Sequence, residues 1–114
     1  MERRDVVQGL VDWRGQLSDL IAAAREFPYD SEVPIVTLQT AHIRSVLQRY
    51  LRGDISAAEV EVWAEAVEGR DDIEYFGPHE DEIAEALFRL STPQINTPLS
   101  KEIAEKCISE LSAL

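Results

Sequence analysis

The sequence predicts an all-α fold: one compact domain, a helical bundle of about five helices with no substantial sheet. Three observations lead there. Apolar residues recur at three- and four-residue steps through most of the chain, glycine and proline fall mainly between those stretches, and several stretches open on residues that cap helices.

The first dozen residues, with mixed charge, Gly9 and a weak apolar pattern, are expected to fray or to extend the next helix, leaving residues 13–114 as the single helical domain. From Trp13, the residues Leu17, Leu20, Ile21 and Ala24 continue one apolar face toward Phe27, and Pro28 stops the helix. Gly15 inside it costs about 1 kcal/mol relative to alanine. Residues 28–37 hold two prolines and no helical period, so they are expected to form a connecting loop with at most a short extended piece at Ile35 and Val36.

With Thr37 or Thr40 as cap, Ile43, Val46, Leu47, Tyr50 and Leu51 mark a strongly amphipathic helix. Gly53 stands where a helix end requires positive φ, and Arg49 and Arg52 complement the dipole in the last turn. Ser56 and Glu59 have the spacing of a capping box, and Ile55 and Val60 that of a hydrophobic staple. The helix they open has a core face of Val60, Trp63, Ala64 and Val67, with a separate carboxylate stripe of Glu61, Glu65 and Glu68, and ends at Gly69.

Residues 70–82 are expected to turn the chain. Pro78 suits a first helical position, and Glu80, Asp81 and Glu82 meet the positive end of the dipole. Ile83, Leu87 and Leu90 face inward, Glu85 and Arg89 form an i,i+4 pair, and Pro93 closes the helix. Ser100 or Thr97 caps the last helix, whose apolar stripe is Ile103, Cys107, Leu111 and Leu114.

Composition narrows the setting. Apolar residues are 45% of the 114, enough to bury a core in one domain. The lone cysteine, Cys107, cannot make an internal disulfide, and the charged start lacks the apolar core of a signal peptide, so a reducing, cytoplasmic location is expected. No window approaches the roughly 20 apolar residues of a membrane span. With 11 basic and 22 acidic residues the net charge is -11, which repels nucleic acid and anionic lipid.

The charge is concentrated. Residues 54–85 hold twelve acids (Asp54, Glu59, Glu61, Glu65, Glu68, Asp71, Asp72, Glu74, Glu80, Asp81, Glu82 and Glu85) against the single base Arg70, whereas the rest of the chain has ten of each sign. This one segment therefore carries the whole net charge, as a pole.

Candidate chemistry is sparse. His42 and His79 are isolated, HEDEI lacks the second histidine of a zinc-protease helix, and there is no cysteine cluster, so no metal and no cofactor is expected. The stretch from Asp72 places Gly77 as in a calcium loop, but Phe76 and Ile83 occupy positions that need oxygen ligands. The carboxylate pairs Asp71 and Asp72, or Glu61 and Glu65, sit among like charges with no evident pocket, which favours a solvated face over acid–base catalysis. Cys107 falls on a core stripe as a structural thiol. Trp13, Trp63 and Tyr50 are expected in the core. Tyr75 and Phe76, in the middle of the acidic turn, are expected either to anchor a partner or to plug helix ends.

Residues 46–65, VLQRYLRGDISAAEVEVWAE, resemble a pattern found in small acidic bacterial helical proteins, including the immunity proteins of the colicin D/E5 type: an aromatic–leucine helix end, a glycine, an acidic–Ile–Ser cap and a following helix with an aromatic. The resemblance implies an inhibitor whose carboxylates cover the basic substrate groove of a toxin nuclease. It spans under a fifth of the chain and transfers no individual residue role.

The expected activity is non-catalytic binding of a basic protein surface, such as a toxin, by Glu61, Glu65, Glu68, Asp71, Asp72, Glu74, Tyr75 and Phe76, with opposite charge steering the encounter. Two alternatives stand beside it: a metal-dependent or small-molecule enzyme built around Asp72, His79, Glu80 and Asp81, and a homo-oligomer formed through apolar surface such as Val62 and Ala66.

Overall fold

The structure is a computed structural model that describes residues 2–114. Six helices and one two-stranded sheet make up the described residues: α1 (Arg3–Asp12), α2 (Leu17–Ala24), β1 (Val36–Leu38), α3 (Thr40–Leu51), α4 (Ala57–Val67), β2 (Ile73–Tyr75), α5 (Glu80–Ser91) and α6 (Lys101–Ser112), with a 3-10 turn at Gly77–His79. The mainly helical character matches expectation. The helix number and the sheet do not.

The first correction concerns the first dozen residues, expected to fray or to extend the next helix. Arg3–Asp12 form a separate helix, α1, and Val6, Val7, Leu10 and Val11 are buried in the core. The helix expected from Trp13 to near Phe27 spans only Leu17–Ala24, and Trp13 instead closes α1 in the left-handed conformation at φ 52°. There Trp13 N–H donates to Leu10 C=O and Arg14 N–H to Gly9 C=O, the paired bonds of a Schellman motif. A bulky side chain in this conformation costs about 1–2 kcal/mol. Its surroundings offset that cost: Trp13 stacks on Trp63 with ring centroids 6.1 Å apart, and the Arg49 guanidinium lies 5.1 Å over its ring and donates to its carbonyl. Gly15, at φ 102°, lies in the break and not within a helix.

The second correction is the sheet. β1 and β2 pair in parallel, Val36 with Ile73, Thr37 with Glu74 and Leu38 with Tyr75. Part of the segment expected to turn is thus a strand, and Val36, Leu38 and Ile73 are buried. The α3 cap is also neither threonine: Gln39 occupies the position, its N–H donating to His42 Nδ1 at 2.9 Å.

Other local expectations hold. Gly53 (φ 82°) ends α3, with Gly53 N–H donating to Tyr50 C=O and Asp54 N–H to Arg49 C=O. Ser56 and Glu59 form the reciprocal capping box of α4 at 3.1 and 3.0 Å, and Ser100 caps α6. Ile83, Leu87 and Leu90 of α5 are buried, and Trp63 is fully enclosed, its indole N–H donating to Leu10 C=O at 2.8 Å.

The packing partners decide the shape of the surface. α5 packs on α4 while α6 packs on α3, and α5 and α6 make little direct contact. As a result the α6 stripe is not wholly core: Leu111 is buried, Ile103 and Cys107 are half-buried, and Leu114 is 47% exposed. No helix among the described residues is long and apolar enough to cross a membrane.

Gly53→Ala should destabilise the protein by about 1–2 kcal/mol in urea denaturation, because alanine is strained at φ 82°. Gly77→Ala is the contrasting case. Gly77 is not at positive φ and an added Cβ meets nothing within 4 Å, so its midpoint should stay within about 0.5 kcal/mol of the parent.

Candidate functional site

The eight residues expected to contact a partner do not share one environment. Asp71, Glu74, Tyr75 and Phe76 line one surface concavity of about 510 Å³, together with Thr37, Gly69 and Glu80. Glu61, by contrast, lines a separate groove and accepts a hydrogen bond from Gln94 at 3.3 Å. Glu65 is exposed on α4, and Glu68, half-buried at its end, accepts from Ser91 Oγ at 2.8 Å.

Asp72 is the correction that matters most. It is fully buried, and both carboxylate oxygens are occupied: Arg70 donates through Nε and Nη2 at 2.9 Å each, and Arg3 Nε donates at 3.0 Å. A carboxylate held this way cannot meet a partner, and it is not available as a metal ligand. Arg70 stands as a lone base in the acidic run of the sequence, and a turn in which Ile73 N–H donates to Arg70 C=O brings its guanidinium onto Asp72 as a bidentate pair. Nothing in the sequence signals Arg3.

The cluster also holds the backbone. Arg3 Nη2 donates to the carbonyls of Pro28 and Asp30 at 2.7 and 3.0 Å, and the Asp72 carbonyl accepts from Ile35 and Val36 N–H. The Arg70 guanidinium lies 4.7 Å over the Tyr29 ring. Within residues 70–76, Arg70, Asp72 and Ile73 are buried, Asp71 and Glu74 are exposed, and Phe76 is 39% exposed. Tyr75 is half-buried, so it forms part of the floor of the concavity while Phe76 stands at the surface.

Electrostatics follow from this placement. Of the twelve acids in residues 54–85, Asp72 pairs with Arg70 and Arg3, Asp54 with Arg52 and Glu85 with Arg89, and no other member has an ion-pair partner among the described residues. Burial raises the Tyr75 phenol above its ordinary value, and the negative charge of Glu68 adds to the rise. For Asp72, burial opposes ionisation, but hydrogen bonds and charge from Arg70 and Arg3 outweigh it and hold the carboxyl below 3.8.

The proposed enzymatic neighbourhood is not assembled. Asp72 is enclosed by guanidinium groups, and His79 packs against Phe76 with ring centroids 5.7 Å apart. His42, expected to be exposed, is half-buried with both nitrogens engaged, Nδ1 by Gln39 N–H and Nε2 by Asp12 Oδ1 at 3.0 Å. Among the described residues no group of three His, Cys, Asp or Glu side chains is arranged to hold a metal ion. Of the apolar residues suggested for self-association, Val62 is 43% exposed and Ala66 half-buried.

Comparison with protein-family models, with curated proteins and with solved structures returns no match.

Asp72→Asn should cost about 3–5 kcal/mol, since it leaves Arg70 buried without a counter-charge. The pH dependence has a definite sign: with the folded-state pKa below 3.8, the ionised carboxylate's contribution is complete above that value and fades as pH falls further. Parent and variant stabilities should therefore converge in acid, and denaturation curves at neutral pH and below 3.8 test this. Tyr75 gives a second check. In ultraviolet titration, the absorbance step lost in Tyr75→Phe should lie above 10.0, and Glu68→Gln should lower it only partly because burial is the larger cause.

Proposed function

We propose that this chain is a non-catalytic protein-binding module, acting in the cytoplasm, that docks a basic protein surface on the acidic face formed by the turn before β2, β2 and the start of α5. The observation that carries the proposal is the concavity lined by Asp71, Glu74 and Glu80 together with Tyr75 and Phe76, where the one lining cation, Arg70, is buried and paired with Asp72. Carboxylates without internal cation partners attract a basic surface at long range, and an exposed aromatic supplies short-range contact area once the surfaces meet. Phe76 is the better anchor because Tyr75 is already half-covered by its own protein.

The resemblance of residues 46–65 to colicin D/E5 immunity proteins supports a narrower form, an inhibitor whose carboxylates cover the basic groove of a toxin nuclease. Such an inhibitor needs no catalytic group. It needs a pre-formed negative surface, and the ion pairs that fix residues 70–76 hold one in place.

Affinity capture from lysate, compared between the parent chain, Asp71→Lys/Glu74→Lys and Phe76→Ser, tests the proposal. The parent should retain a basic protein that elutes as salt rises, and charge reversal should lower its affinity by about tenfold or more. Phe76→Ser should weaken capture without shifting the melting temperature appreciably, as the residue is exposed. Retention of the same partner by the charge-reversed variant at high salt would overturn the proposal.

A further inference from the structure

The α5–α6 gap is a second concave surface, built from different residues. It has a volume of about 700 Å³, and its floor is apolar: Leu90 from α5, Leu99 from the preceding loop, and Ile103, Cys107, Leu111 and Leu114 from α6. The gap exists because each helix is committed elsewhere, α5 to α4 and α6 to α3. The α6 apolar stripe is therefore only half-covered by its own chain: Leu111 is buried, Ile103 and Cys107 are half-buried and Leu114 is exposed.

Charge distinguishes what fits. Glu61, Glu82, Glu85 and Glu110 rim the groove against Arg89 and Lys106. Arg89 is already paired with Glu85 at 2.7 Å, so the rim is negative and its acids stand on both the α5 and the α6 walls. A second copy of this chain, with its own net charge of -11, is opposed by repulsion. Each wall is a twelve-residue helix, roughly 18 Å long at 1.5 Å per residue, which matches about three turns of a docked helix. An occupant with an apolar stripe between basic flanks satisfies both floor and rim, the arrangement used when amphipathic helices enter apolar grooves.

We propose that the groove between α5 and α6 receives an amphipathic helix of a partner protein, its apolar face on Leu99, Ile103, Cys107 and Leu114 and its basic residues against Glu61, Glu82 and Glu110. This surface is distinct from the Tyr75 concavity and stands whether or not that concavity binds a partner.

The groove contains the chain's only cysteine, which supplies a local reporter. The probe is a fluorescent leucine–lysine peptide of about 14 residues with a helical apolar stripe, long enough to span the walls at about 1.5 Å per residue. Its composition-matched scramble, lacking the stripe, is the reference. Anisotropy should show the patterned peptide binding at least about tenfold more tightly than the scramble, with affinity falling as salt rises. Binding should slow alkylation of Cys107 by a small maleimide at fixed pH several-fold.

Glu82→Lys/Glu110→Lys should weaken binding by about tenfold, whereas Glu26→Lys/Glu32→Lys, with the same change in net charge on other surface, should have little effect. Equal binding of both peptides, binding without Cys107 protection, or equal loss in the two charge variants would each overturn the proposal. So would protection of Cys107 by concentration-dependent dimerisation without peptide, or by an alkylammonium amphiphile where the peptide fails, because each assigns the groove another occupant. Failure at the acidic concavity would appear in Asp71→Lys/Glu74→Lys, which leaves this groove intact.

Discussion

The buried contact among Arg3, Arg70 and Asp72 is the constraint on which the acidic face depends. It joins the start of α1, the loop after α2 and the approach to β2, three pieces far apart in the chain. Two guanidinium groups around one enclosed carboxylate satisfy each other with charge-assisted bonds, and their remaining N–H groups hold the carbonyls of Pro28 and Asp30. Residues 70 and 72 are fixed inward, while Asp71 between them and Glu74 beyond the buried Ile73 stay exposed. A buried pair of this kind adds little net stability compared with apolar packing, and its consequence here is registration. The parallel β1–β2 pair is aligned by the same residues, since the Asp72 carbonyl accepts from both Ile35 and Val36.

What the sequence made legible divides along physical lines. Signals confined to one turn were readable: the Ser56–Glu59 capping box, Gly53 at positive φ and the Glu85–Arg89 pair all occur as their spacing implies. Features decided by distant contacts were not. Trp13 adopts a conformation usually left to glycine because Trp63 and Arg49, some fifty and thirty-six positions away, pack around it. Seen locally, Trp13 continues the apolar face of Leu17 and Leu20, so an unbroken helix was the natural expectation. β1 and β2 are three residues each, too short to show alternation, and they exist only as partners of one another.

The candidate site shows the same division in charge. Counting acids located the pole, because charge excess needs no geometry, but it treated Asp72 as equivalent to its neighbour Asp71. Burial separates them completely: one is closed within the Arg3–Arg70 cluster and the other is exposed. Helical spacing also joined Glu61, Glu65 and Glu68 into one stripe. In the fold Glu61 belongs to the α5–α6 groove, while Glu68 influences Tyr75 beside the other concavity. The groove itself was invisible, because the α6 stripe has the period of a core helix and only the choice of α3 as its partner leaves that stripe half-covered.

Keeping so many like charges on adjacent elements works against folding, since each adds repulsion that solvent and salt only partly screen. The structure relieves this repulsion very little. Arg70 and Arg3 both bond Asp72, two guanidiniums to one carboxylate, so that cluster offsets the pole by only one net positive charge. Arg52 and Arg89 serve Asp54 and Glu85 at its margins. The central carboxylates stay without cation partners beside the exposed Phe76, so the repulsion among them is left to solvent and salt, and a basic surface brought against them would relieve it.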